Sequence, residues 1–314
     1  MMISGVLKRA AMNVNSIVTP QWLTQNFNKV KVIDATYAPT ATRNFEEFKK
    51  NYYGDFEKLT KDFKVAAYTG EHIPGASHFG LDTAYFPSQY IKYDLYPPEI
   101  FQKYIRLLGV NDGDHVVIYS RGPAQGMMFA SRAYWTFKVY GFQNVSLLNG
   151  GLDAWKAAGG ATDNNEVSPP LGNFNAKPLN TDILAYFEEI PFNSFENVDY
   201  LDARTVPQFT GQEPLTTTYP GTKATGSHVT GAINFPMAEV IGADGFISKE
   251  DVDAKVAKLG LTAGNQVYIA CNTGIQASVI FVALERSGVK AKVYNGSMTE
   301  LAYRAPELVN ASGN

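Results

Sequence analysis

Lys258-Leu259-Gly260-Leu261-Thr262-Ala263-Gly264-Asn265-Gln266-Val267-Tyr268-Ile269-Ala270-Cys271 decides the fold, because the chain carries a second copy of it. The counterpart is Leu107-Leu108-Gly109-Val110-Asn111-Asp112-Gly113-Asp114-His115-Val116-Val117-Ile118-Tyr119-Ser120. Each reads as the end of a helix, a glycine stop, a polar turn and a short β-branched strand. One spacing separates Gly109 from Gly260 and Ser120 from Cys271. Further landmarks recur in the same order at drifting offsets, as insertions in surface loops produce. Val32-Ile33-Asp34-Ala35 answers Tyr200-Leu201-Asp202-Ala203, and His72-Ile73-Pro74-Gly75-Ala76 answers His228-Val229-Thr230-Gly231-Ala232. Leu148-Asn149-Gly150-Gly151 answers Tyr294-Asn295-Gly296-Ser297. The chain is a duplication.

Within each copy short strands alternate with helical stretches, which predicts an α/β fold of two tandem domains, each a mostly parallel sheet flanked by helices. The expected domains are 16–160 and 181–308, joined by a linker over 161–180 that is rich in Gly, Asn and Pro. Ser248 and Asp251 form a capping box for a helix with Val252, Val256 and Leu259 on one face. Pro97-Pro98-Glu99 opens another, with Ile100, Tyr104, Leu107 and Leu108 as its expected apolar face.

Composition narrows the function. The 314 residues are 45% apolar and 18% charged, with a formal net charge of -3, which offers nothing to nucleic acid or an anionic membrane. A single cysteine excludes an internal disulfide and a Cys-rich zinc site, and the four histidines show no ligand spacing. The G-x-G-x-x-G fingerprint of a dinucleotide site is absent, so neither metal nor cofactor is expected. Lys8 and Arg9 precede the first acidic residue, Asp34. With one cysteine and no secretory leader, a reducing cytoplasmic setting is expected, mitochondrial import being the alternative.

Cys271 ends a strand and is followed by Asn272-Thr273-Gly274-Ile275-Gln276-Ala277, then by the helical run to Leu284. Free cysteines are most often buried packing groups. A packing cysteine, however, needs no glycine-bearing loop and helix start behind it, and open α/β sheets bind ligands at the carboxyl ends of their strands. Backbone N–H groups of Asn272 to Ala277 can turn inward as an anion cradle, with the positive end of the helix behind them. Such a cradle would lower the thiol pKa and make Cys271 a nucleophile. No Lys or Arg occurs from Cys271 to Leu284, so a phosphate would lack its guanidinium partner. A polarisable sulfur anion such as a persulfide fits better.

These features resemble the tandem rhodanese sulfurtransferases, and within them the mercaptopyruvate-using members. The resemblance rests on the duplication, the two His-x-x-Gly-Ala motifs, the Cys-x-x-Gly-x-x-Ala loop and the closing Asn-Gly-Ser/Gly turns. It implies a second domain that is catalytic and a first domain that is not, Ser120 standing where a thiol would be. It implies sulfur transfer from a small donor, mercaptopyruvate or thiosulfate, through Cys271 to cyanide or an acceptor thiol. A thioredoxin-like protein or a low-molecular-weight thiol would serve as that acceptor. Thr273 is then the loop hydroxyl, and His72 a catalytic candidate with Asp62 as the nearest acid. The family's two substrate arginines fall at Gln208 and Thr217, and neither replacement can pair bidentately with a carboxylate, a loss of roughly 1.5–3 kcal/mol per contact. Gln276 replaces the usual loop threonine. The rival reading is a catalytically silent rhodanese-like module that binds a partner or carries sulfur delivered by another enzyme. His228 is expected to serve structure, and Arg204 to anchor its domain through an ion pair.

Overall fold

The computed structural model describes residues 15–313; the segment with Lys8 and Arg9 lies outside them. Two five-stranded parallel sheets share one strand order. The first runs Ile17–Val18, Val145–Leu148, Val116–Tyr119, Lys31–Asp34, Ser77–His78 from edge to edge. The second runs Leu184–Ala185, Ala291–Tyr294, Gln266–Ala270, Val198–Asp202, Ile233–Asn234. The duplication extends to register: Asp34 pairs with Tyr119, and Asp202 with Ala270. Ser120 and Cys271 therefore leave equivalent central strands at the same level.

Each central strand feeds a buried helix, Met127–Val139 in the first domain and Ile275–Arg286 in the second. These two helices pack against each other, so one hydrophobic core runs through both domains and includes Cys271. Ser248 caps the helix Lys249–Ala257, accepting the Asp251 N–H at 3.0 Å, and Val252 and Val256 are buried as expected. The helix Pro98–Leu107 buries Tyr104, with Leu108 just beyond it, as expected, and its buried face is wider than the sequence suggested. It buries Phe101, Tyr104 and Ile105, because Phe101 stacks on Tyr140 at 3.8 Å and leaves Ile100 and Leu107 only partly covered.

The segment 161–180 is no loose tether. Asp163 makes an antiparallel bridge with His72, Gly172 N–H donates to the Arg106 carbonyl at 2.9 Å, and Phe174 is buried against Phe101 and Phe142. One aromatic anchor and a few backbone bonds strap it along the first domain. Among the described residues, no helix is long and apolar enough to cross a membrane.

Candidate functional site

Cys271 sits at the carboxyl end of Gln266–Ala270 with 1% of its surface exposed. Gly274, at φ +80°, turns the chain into the helix Ile275–Arg286, a left-handed conformation that glycine adopts without Cβ strain. Its N–H donates to Cys271 Sγ at 3.1 Å. The Thr273 and Ala277 N–H groups also draw the thiol pKa down, but burial, the largest influence, pushes it above its ordinary value, and the Asp202 carboxylate adds to the rise. The cradle expected from the sequence is present, yet it only partly offsets desolvation: the thiol is poised upward, not downward. Ile275 is buried, and Asn272, Thr273 and Gln276 are partly exposed along the loop.

The closing turn of the repeat locks this loop. Ser297, at φ +50°, accepts the Cys271 N–H on its Oγ at 3.2 Å and donates to the Tyr294 carbonyl at 2.7 Å. Met298 N–H reaches the Cys271 carbonyl at 3.0 Å, and Thr299 N–H and Oγ1 both reach that of Asn272. In the first copy the equivalent loop is longer, from Ser120 to Gly126, and the Ser120 hydroxyl is spent on the Gly126 carbonyl. That loop is closed on itself.

Two further residues bond the cysteine loop, and a third, Asn295, holds one of them. Tyr219 donates its hydroxyl to Asn272 Oδ1 at 2.6 Å. From the first domain, Arg132 donates to the Gly274 carbonyl at 3.4 Å and to Asn295 Oδ1 at 2.6 Å, while Asn295 Nδ2 donates to the Tyr93 carbonyl at 3.0 Å. The repeat has a mirror contact: Asn149 Oδ1 accepts the N–H of Phe246 in the second domain at 2.9 Å. Ser297 was visible in the sequence as part of the repeated turn. Tyr219 and Arg132 carried no signal, because only folding brings them to the loop.

His72 is buried in the first domain. Its Nδ1 lies 2.9 Å from the Tyr68 carbonyl, its ring stacks on Tyr68, its Nε2 is 3.3 Å from Asp163 Oδ1, and it lines a cavity of about 660 Å³ walled by the first domain and residues 164–169. The acid beside it is Asp163, at 3.3 Å, and not Asp62, which pairs with Lys58 on the surface. His228 stacks on Phe209 at 3.8 Å and bonds the Phe209 carbonyl through Nδ1, a packing role. Arg204, 1% exposed, is held bidentately on Asp202 and donates to the Ser227 carbonyl. Gln208 lies on the helix Val206–Thr210 with its Oε1 buried and unpartnered; Thr217 is exposed on Leu215–Thr218. Among the described residues, no cluster of three or more His, Cys, Asp or Glu could hold a metal ion.

A thiol at the carboxyl end of a central parallel strand, cradled at a helix start, on a fold built twice, defines the class. The chain matches the family described as "Rhodanese-like domain" over residues 19–158 and 193–303, and it belongs to that family. It is 37% identical over 299 residues to a Caenorhabditis elegans protein named "Putative thiosulfate sulfurtransferase mpst-4", covering 95% of this chain and 88% of that one. It is 29% identical over 242 residues to the 3-mercaptopyruvate sulfurtransferase of Escherichia coli K12, covering 76% and 83% respectively. The crystal structure of SseA from Escherichia coli, described among the 3-mercaptopyruvate sulfotransferases, superposes with a TM-score of 0.72 at 26% identity, covering 90% of this chain and 99% of that one.

Proposed function

We propose that this rhodanese-family chain is a sulfurtransferase that takes sulfur from a small donor onto Cys271 and passes it to an acceptor thiol or cyanide. The observation that carries this reading is the Cys271 sulfur receiving the Gly274 N–H at 3.1 Å at the start of a buried helix. Kinship supports the same activity, and the relatives' names supply two donors, 3-mercaptopyruvate and thiosulfate.

With thiosulfate, the Cys271 thiolate attacks the outer sulfur, the S–S bond breaks, and sulfite leaves with the electron pair. With mercaptopyruvate, it attacks the thiol sulfur, the C–S bond breaks, and the pair passes to carbon as the enolate of pyruvate, which takes up a proton. Cys271 is left as a persulfide in both cases. The half-buried Thr273 hydroxyl is our candidate for a hydrogen bond to the developing enolate. An acceptor thiolate, on a thioredoxin-like protein or a small thiol, then takes the terminal sulfur and restores Cys271. No step is assigned to His72, whose contacts lie with Tyr68 and Asp163. Gln208 and Thr217 are proposed to border the donor without charge, which favours a donor that does not depend on a guanidinium clamp.

The test is turnover of Cys271→Ser with both donors. Loss of sulfur transfer supports the reading, and retention of wild-type activity refutes it.

A further inference from the structure

Arg132 is fully buried in the first domain, yet it has no carboxylate partner among the described residues. Its Nη1 donates to the Gly274 carbonyl at 3.4 Å, and its Nη2 to Asn295 Oδ1 at 2.6 Å and the Tyr93 carbonyl at 3.2 Å. Its guanidinium lies 4.6 Å and 4.5 Å from the ring centroids of Tyr85 and Trp135, and its Nε is buried with no hydrogen-bond partner. An arginine side chain stays charged in a protein, and a buried charge without a counter-charge is strongly disfavoured. This cation also sits at the amino end of Ile275–Arg286, which already carries the positive end of the helix dipole. Two positive features therefore meet at one loop, and the missing element is an anion.

Among the described residues at that loop, the side chain that acquires a negative charge in the proposed reaction is Cys271. Gly274 joins the two: its N–H points at Sγ and its carbonyl at Arg132. We infer that Arg132 is a positioning residue that the first domain supplies to the second, aligning Gly274 and balancing the negative charge of the Cys271 thiolate and persulfide. The inference rests on the sulfur-transfer reading and deepens it. The loop that lacks any cation of its own receives one across the domain interface. Other groups facing the thiol do not take this role. Asp202 opposes ionisation and holds Arg204, while Tyr200 and Tyr219 are neutral because burial raises them. Asp94, next to Tyr93, accepts the Leu95 N–H at 2.8 Å, and burial raises its carboxyl as well.

Because Cys271 is the single thiol of the chain, its alkylation by iodoacetamide across pH reports its ionisation alone. Arg132→Gln should raise the midpoint by about one pH unit, a roughly tenfold loss of thiolate at neutral pH, whereas Arg132→Lys should stay near wild type. A folded Arg132→Gln with an unchanged midpoint overturns the inference. A second measurement needs no variant: loading the wild-type protein with persulfide from thiosulfate or mercaptopyruvate places an anion at the site and should raise Tm. A loaded protein with the Tm of the unloaded one also overturns it. Failure of the wild type to load would count against the sulfur-transfer reading instead, and the alkylation midpoints would still decide the role of Arg132.

Discussion

Ser297 Oγ accepts the backbone N–H of Cys271 at 3.2 Å, so the turn that closes the second domain fixes the residue that opens the cysteine loop. Ser297 adopts φ +50° to do so, a conformation that costs a non-glycine residue free energy. Replacing it by alanine keeps that strain and leaves a buried N–H without an acceptor. Ser297→Ala should lose roughly 1–3 kcal/mol of stability, read by urea unfolding. Sulfur transfer should fall with it as the loop loosens; unchanged stability and rate would show the bond to be incidental.

Asp202 holds Arg204 inside the second domain, both nearly inaccessible. Asp202→Asn leaves that guanidinium buried without its counter-charge, at a cost of roughly 3–5 kcal/mol. The same change removes a negative charge that raises the Cys271 pKa. Stability should fall while the alkylation midpoint of the remaining folded protein moves down. A midpoint that stays in place would argue against Asp202 acting on the thiol.

The raised thiol pKa has a definite sign. In the unfolded chain Cys271 ionises near its ordinary value of about 8.5, but in the folded chain it stays protonated to higher pH. Above about 8.5 the unfolded state binds fewer protons, so the folded state loses stability as pH rises. Wild type should therefore weaken more than Cys271→Ser between about pH 7.5 and about pH 9.5 in urea titrations, and its alkylation rate should keep rising through that range. Parallel stability curves for the two proteins would contradict a raised thiol.

The resemblance to the mercaptopyruvate-using sulfurtransferases puts Gln208 and Thr217 at the family's substrate arginines, and we propose that they border the donor. If they border the donor, Gln208→Arg combined with Thr217→Arg should lower the KM for mercaptopyruvate by about tenfold or more, from one or two charge-assisted bonds. KM for thiosulfate should change less. An unchanged mercaptopyruvate KM would place its carboxylate elsewhere.

Much of this architecture was legible because duplication writes the fold twice. Matching Asp34 with Asp202 and Ser120 with Cys271 anticipated two like domains, and the two sheets share one strand order and register. The loop at Cys271 was readable because strand, glycine and helix lie in one short run. What stayed hidden depends on tertiary contact. Nothing near Phe174 in sequence says that it will tie the linker to the first domain, and nothing near Arg132 marks it as a neighbour of Gly274, 142 positions away. The acid beside His72 was hidden for the same reason: Asp163 lies 91 positions further along the chain, and only folding brings it to the imidazole in place of Asp62. The thiol's pKa was expected on the wrong side because a sequence displays the cradle but not the depth at which it is buried.

The most direct test is the mass of the intact protein after incubation with mercaptopyruvate or thiosulfate. One added sulfur, about 32 Da, should appear on wild type, disappear with dithiothreitol and be absent from Cys271→Ser. No adduct from either donor, or the same adduct on Cys271→Ser, would contradict sulfur transfer through Cys271.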